Sequence, residues 1–177
     1  MDTRVKDVLE ADHAEIDTLF EAACGAIRSA DPATAYRATD LFWARLAVHI
    51  RAEHLRLFKE IRESAAADNC PADLSSALPL LDELRHDHDF FMRELARAIK
   101  ALRLVFHFGN EAETFAVVSE ILERVGKRLE THNVIEEQRL YPLASLEYMS
   151  RETLESLINS IKAELANIPH RYRGTSS

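Results

Sequence analysis

Residues that interrupt regular structure are scarce in this chain, and so are cysteines. Its 177 residues include four glycines, five prolines and two cysteines. So few glycines and prolines argue against a fold built from many short strands and tight turns. Cys24 and Cys70 fit neither a dense disulfide framework nor a CxxC zinc site, so we expect two reduced thiols to which the sequence assigns no role.

Basic charge and long apolar runs are also in short supply. The 22 lysines and arginines stand against 30 acidic residues, a net charge of −8. Phosphate binding needs a basic surface, so this balance argues against nucleic acid as a partner. No apolar run approaches the about 20 residues that span a bilayer, and residues 1–7 lack the apolar centre of a signal peptide. We therefore expect a cytoplasmic protein that does not contact membranes.

The residues that are plentiful indicate a single helical domain. Hydrophobic residues make up 47% of the chain, enough for one real core in residues 1–170, with a disordered tail at 171–177. Apolar residues recur at helical spacing in four long segments and one shorter segment. The predicted helices run from Val5 to near Gly25, from Pro32 to about Ser64, from about Leu80 to Val105, from Glu111 to about Leu140, and from Leu154 to Leu165.

Two of these helices carry the same H-x-x-x-E pattern, as His49 with Glu53 and His132 with Glu136. Residues four apart lie on one face of an α-helix, so each pattern presents an imidazole beside a carboxylate. The repeat continues beyond the glutamates at identical offsets. The matching residues are Arg56 and Arg139, Leu57 and Leu140, and Phe58 and Tyr141.

The first and third helices carry a simpler repeat, an aspartate followed by His13 or by His88. Both histidines lie on the apolar stripe of their helix. His86, about 200° around the helix from His88, cannot face the same centre. The order H, HxxxE, H, HxxxE therefore indicates two related helical hairpins that meet around a shared centre.

Four imidazoles and two carboxylates converging from four helices could hold two metal ions bridged by the carboxylates. A lone histidine on an apolar face is more often a hydrogen-bonded core residue, and one H-x-x-x-E pattern is common on solvated faces. However, Glu53 and Glu136 lie on apolar stripes, where an unpartnered carboxylate costs several kcal/mol. Few lysines or arginines share their phase, so the combination favours metal binding.

At these positions the chain resembles the hemerythrin-like, or HHE cation-binding, domain proteins over about residues 5 to 145. The resemblance depends on A-D-H-A-E-I-D, H-I-R-A-E-H-L-R-L-F, D-H-D-F-F and H-N-V-I-E-E-Q-R-L-Y-P. It implies an antiparallel up-down four-helix bundle, here with a short additional C-terminal helix, and a non-haem diiron site with an oxo or hydroxo bridge. The implied metal ligands are His13, His49, Glu53, His88, His132 and Glu136.

The sequence departs from the oxygen-carrying hemerythrins, which use a fifth histidine where this chain has Leu84. This departure makes reversible oxygen storage less favoured. His54 stands where the family often has a second acid, matching Glu137 in the repeat, and is either a partner of a ligand or a substitute ligand. Glu137 is expected to accept from an imidazole N–H. Tyr141 could lie near the site, although packing is the favoured role.

The form of the site is similar to that of relatives that bind dioxygen, nitric oxide or peroxide in iron, oxygen or redox sensing and in stress protection. A sensor would need a protein partner. Alternatives are a catalase-like or peroxidase-like diiron enzyme, a protein that repairs nitrosatively damaged iron centres, and a metal-free interaction module. Histidine and carboxylate also accept manganese and zinc, so two iron ions are the first expectation among three metals.

Overall fold

The computed structural model describes residues 4–67, 71–108 and 111–172, and the side chains of 106–108 are not described. No β-strand occurs in these three stretches, which confirms the all-α prediction. The described α-helices are α1 (Val5–Arg28), α2 (Pro32–Ala52), α3 (Phe58–Ala65), α4 (Ala72–Ser76), α5 (Leu78–Phe108), α6 (Glu111–Ile135) and α7 (Arg151–Leu165).

Side chains cap the beginnings of two helices. The Asp31 carboxylate accepts a hydrogen bond from the backbone N–H of Thr34 at 3.0 Å, and Pro32 occupies the first turn of α2. Proline has no N–H to leave unsatisfied at this position, and its fixed φ suits a helix. Ser150 caps α7 in the same way through Thr153.

The second and fourth predicted helices are each interrupted by a π turn. The first π turn, Glu53–Leu57, joins α2 to α3, and the second π turn, Glu136–Leu140, leads from α6 into the 3-10 turn Tyr141–Leu143. Each begins at the glutamate of an H-x-x-x-E pattern. The sequence predicted unbroken helices here, because one extra residue in a single turn hardly changes the apolar periodicity.

The core of the bundle consists of two apolar clusters separated by a polar layer. The upper cluster is built around Ile16, Phe42, Leu46, Phe91, Leu95 and Val125. The lower cluster is built around Leu9, Leu57, Phe58, Leu81, Leu84 and Leu140. Helices α1 and α5 begin in the lower cluster and end in the upper one, whereas α2 and α6 run in the opposite direction through their π turns. The bundle is therefore antiparallel and up-down, as predicted.

The additional C-terminal helix α7 covers the lower half of the bundle. It packs against α1, α2 and the first π turn, and its Leu157 and Ile161 enter the lower cluster. Glu164 on α7 accepts hydrogen bonds from Arg51 at 3.0 Å and from Arg56 at 2.6 Å. This helix holds the segment that contains the first π turn.

Several predictions concern the end of the chain and segments that the structure does not describe. Arg171 and Tyr172, predicted to begin a disordered tail, form a 3-10 turn with His170, and both contact the carboxylate of Asp40. Residues 173–177 and Cys70 lie outside the described residues, and a single domain over 1–170 stays a prediction. Among the described helices, none combines the length and apolarity needed to cross a membrane.

Leu84 tests the lower cluster, in which its side chain is fully buried. We expect Leu84→Ala to lower the free energy of unfolding by about 2–5 kcal/mol, because it removes buried apolar contacts and leaves a cavity. The matched control is Leu104→Ala, since Leu104 is 45% exposed and such changes usually cost less than about 0.5 kcal/mol. Urea unfolding of both variants measures the difference, and equal losses would contradict this packing.

Candidate metal centre

The polar layer contains the six side chains that the sequence nominates as metal ligands. The four bundle helices contribute the histidines, and each glutamate is the first residue of a π turn. All six are buried, and Glu53 and Glu136 have no exposed surface. The six residues are His13, His49, Glu53, His88, His132 and Glu136.

These side chains form two groups of four that share both glutamates. The first half-site consists of His13, His49 and the two glutamates, Glu53 and Glu136. The second half-site consists of His88, His132 and the same two glutamates. Within each half-site, one possible ligand atom from every residue lies within 4.8 Å of those from the others.

Inside each half-site the two imidazoles face each other. The Nε2 atoms are 3.1 Å apart between His13 and His49 and 2.9 Å apart between His88 and His132. Two nitrogens and two shared carboxylates on either side are the donor set that a carboxylate-bridged pair of cations needs.

In each half-site, one aspartate orients one of the two histidines. Nδ1 of His49 lies 2.8 Å from the Asp12 carboxylate, and Nδ1 of His132 lies 3.1 Å from that of Asp87. A carboxylate accepts the Nδ1 proton, so Nε2 faces the centre with its lone pair. Sequence reasoning missed this role, although the repeated Asp-His pairs carried the signal. Each aspartate directly precedes one histidine of the polar layer but binds the histidine of the next bundle helix.

His54 and Glu137 orient the other two histidines. Nδ1 of His13 lies 2.8 Å from Glu137 Oε1, so Glu137 accepts an imidazole N–H, and Nδ1 of His88 lies 2.8 Å from His54 Nε2. Burial, together with the positive charges of His88 and Arg85, lowers the pKa of His54 to about 4, so its Nε2 can accept a proton. The structure places His54 on the outer nitrogen of His88 and outside both half-sites.

The hydroxyl of Tyr141 points into the first half-site, which differs from the packing role favoured by the sequence. Its oxygen lies 2.9 Å from Glu53 Oε1, 3.0 Å from His13 Nε2 and 3.2 Å from Glu136 Oε2. The second π turn explains the difference. The N–H of Tyr141 binds the carbonyl of Glu136, five residues earlier, so residue 141 is stacked over the glutamate.

Opposite charges stabilise the layer without metal. Burial raises the pKa of Glu53, and the charge of Glu136 raises it further, but His49 and His88 outweigh both and hold it at about 2. Burial lowers the pKa of His132, yet the charge of Glu136 and the hydrogen bond to Asp87 raise it to about 9. A metal ion that binds here must displace protons from imidazoles.

Tyr141 keeps its proton in this surrounding. Burial raises the pKa of its phenol, and the charges of Glu136 and Glu53 raise it further, well above the ordinary value. The hydroxyl therefore remains a hydrogen-bond donor toward the shared carboxylates.

Two carboxylate oxygens indicate that the residues fit a metal pair. Glu53 Oε2 and Glu136 Oε1 are inaccessible to solvent and accept no hydrogen bond within the described part of the chain. The nearest imidazole nitrogens are His88 Nε2 at 3.3 Å from the former and His132 Nε2 at 3.0 Å from the latter. These nitrogens supply charge but no well-aligned hydrogen bond, and a cation bound between the glutamates would satisfy both oxygens.

Two arginines extend the repeat to R-x-x-x-H-x-x-x-E, which sequence reasoning also missed. Arg45 precedes His49 by four residues and pairs with Asp12, and Arg128 precedes His132 by four and lies 2.6 Å from Asp87. The two pairs differ in burial. The side chain of Arg45 is 6% exposed and that of Arg128 is 44% exposed.

The fold and the layer together define a helical-bundle protein with a buried His/Glu site able to bind metal. The chain belongs to the hemerythrin HHE cation binding domain family, whose sequence model matches residues 4–144. This confirms the resemblance seen in the four histidine patterns. Neither a curated protein nor a solved structure matches the chain significantly.

The two arginines provide a matched test of the site. We expect Arg45→Ala to lower the free energy of unfolding of the metal-free protein by about 3–5 kcal/mol, because Asp12 stays buried without its cationic partner. Arg128→Ala should cost about 0–1 kcal/mol, since solvent screens the more exposed pair. Chemical denaturation compares the two variants, and a larger loss for Arg128→Ala would contradict the assigned burial.

Proposed function

We propose that this protein binds two iron ions in the polar layer and takes up dioxygen, nitric oxide or peroxide there. The observation that carries the proposal is that both half-sites share Glu53 and Glu136. His13 and His49 would hold one ion and His88 and His132 the other, with the glutamates bridging them. When bound, an iron pair supplies one-electron chemistry and a binding place for a small ligand.

The chain supplies a dry and pre-oriented surrounding for that pair. The upper and lower clusters close the layer on both sides, so charges inside it are poorly screened. Asp12, Asp87, Glu137 and His54 hold the four imidazoles so that each Nε2 faces inward. Mutation of such outer partners commonly lowers metal affinity by roughly 10- to 100-fold.

We infer a role in sensing or stress protection in the cytoplasm. The net charge of −8 supports a partner other than nucleic acid, and the described helices offer no membrane span. The small ligand is the proposed partner of the site. A sensor would in addition need a second protein to receive the signal.

Metal content tests the proposal directly. We expect the wild-type protein to hold close to two irons per chain after anaerobic Fe(II) loading. Glu136→Gln should lose at least one of these irons, because this change removes a carboxylate that both half-sites share. The matched control, Glu120→Gln, alters an exposed glutamate and should keep both irons.

Elemental analysis of the loaded and desalted proteins, with the visible spectrum of the same samples, gives the answer. Two manganese or zinc ions per chain in place of iron would change the proposed identity of the metal but would support the proposed site. No retained metal, together with a melting temperature unchanged by chelation, would contradict the proposal and favour a metal-free interaction module.

Peroxide decomposition is a second candidate, favoured by the position of Tyr141. Its protonated hydroxyl lies within 3.2 Å of both shared carboxylates, where it can donate a proton to an oxygen-containing ligand in the site. We expect oxygen release from peroxide by the iron-loaded protein, and a fall of about 10²-fold or more in Tyr141→Phe. Oxygen-electrode measurements at equal iron content test this, and equal rates would contradict a role for the hydroxyl.

A further inference from the structure

The two half-sites are related by the internal repeat, which extends to the residues around them. Every ligand and almost every supporting side chain has a counterpart at the matching position of the corresponding helix in the other hairpin. The pairs are His13 and His88, His49 and His132, Glu53 and Glu136, Asp12 and Asp87, and Arg45 and Arg128. Departures from this repeat therefore identify where the two half-sites differ chemically.

The largest departure lies five residues after the glutamate of each H-x-x-x-E pattern. Tyr141 takes this position in one repeat and Phe58 in the other, and each donates its backbone N–H across a π turn to the carbonyl of its glutamate. The ring of Tyr141 lies 5.7 Å from that of His13, and the ring of Phe58 lies 5.9 Å from that of His88. The rings thus occupy equivalent places, and only one of them carries a hydroxyl.

This difference leaves the half-sites with unequal sets of polar atoms. The Tyr141 hydroxyl lies 3.0 Å from His13 Nε2 and 2.9 Å from Glu53 Oε1, so an oxygen already stands among the donors of the first half-site. Phe58 is fully buried and presents only carbon and hydrogen to His88. The second half-site therefore has one polar group fewer.

A second departure acts in the same direction. The outer nitrogen of His13 faces the carboxylate of Glu137, whereas that of His88 faces the imidazole of His54. A carboxylate adds negative charge behind the first half-site, and an imidazole does not. An incoming anion is therefore repelled less at the second half-site.

We propose that a small exogenous ligand binds at the second half-site, beside Phe58, and that the Tyr141 hydroxyl closes the first. Phe58 is then a specificity-determining residue, because the absence of a hydroxyl at this position keeps the place for the ligand free. The inference rests on the proposed function, since it requires metal in both half-sites.

Azide is the probe, and a reciprocal exchange of hydroxyls is the test. Phe58→Tyr adds a hydroxyl to the second half-site and Tyr141→Phe removes it from the first. The matched control, Phe115→Tyr, adds a hydroxyl to the upper cluster, outside both half-sites. Each protein is loaded with iron and oxidised, its iron per chain is measured, and azide is titrated while the visible charge-transfer bands are recorded.

We expect Phe58→Tyr to weaken azide binding at least tenfold, about 1.4 kcal/mol. Tyr141→Phe should bind a second equivalent of azide, and Phe115→Tyr should bind one equivalent as the wild type does. Wild-type azide affinity in Phe58→Tyr with two irons retained would overturn the inference. If Phe58→Tyr loses iron, Tyr141→Phe decides, and a single equivalent there would overturn it.

The failure of the proposed function gives a different result. Wild-type protein that retains no metal contradicts the metal centre itself, before any azide is added. Two irons per chain with azide binding that does not respond to the hydroxyl exchange leaves the metal centre standing and rejects only the assignment of the ligand to the second half-site.

Discussion

Two carboxylates buried side by side are the constraint on which the rest of the structure depends. Glu53 and Glu136 have no exposed surface, and their like charges repel each other inside the bundle. Such a pair is tolerated only when positive groups or cations surround it. Four imidazoles meet this need at close range, and aspartates with their arginines hold two of those imidazoles from behind. The apolar clusters on both sides supply the stability that lets the protein keep this polar layer.

The helices and the six members of the polar layer could be predicted because both follow from local geometry. Four-residue spacing puts His49 and Glu53 on one face whatever the tertiary structure, and apolar stripes select His88 over His86. The role of Tyr141 could not be predicted, because a π turn shifts the register by one residue without changing the composition. The difference in burial between Arg45 and Arg128 could not be predicted either, because it depends on how neighbouring helices cover each side chain.

The internal repeat gives the centre its symmetry, and a few substitutions remove it. The outer nitrogen of His13 contacts Glu137, whereas the outer nitrogen of His88 contacts His54, the residue at the matching position of the repeat. In the proposed metal centre, the two half-sites would therefore share both glutamates but differ in the charge and in the polar atoms around them.

The central claim is that two metal ions lie together between the shared glutamates. Anomalous X-ray diffraction at the iron edge, on crystals of the iron-loaded protein, tests it most directly. The account predicts two peaks per chain inside the polar layer, about 3–4 Å apart, with Glu53 and Glu136 contacting both. A single peak, or peaks at surface carboxylates with the layer empty, would contradict it.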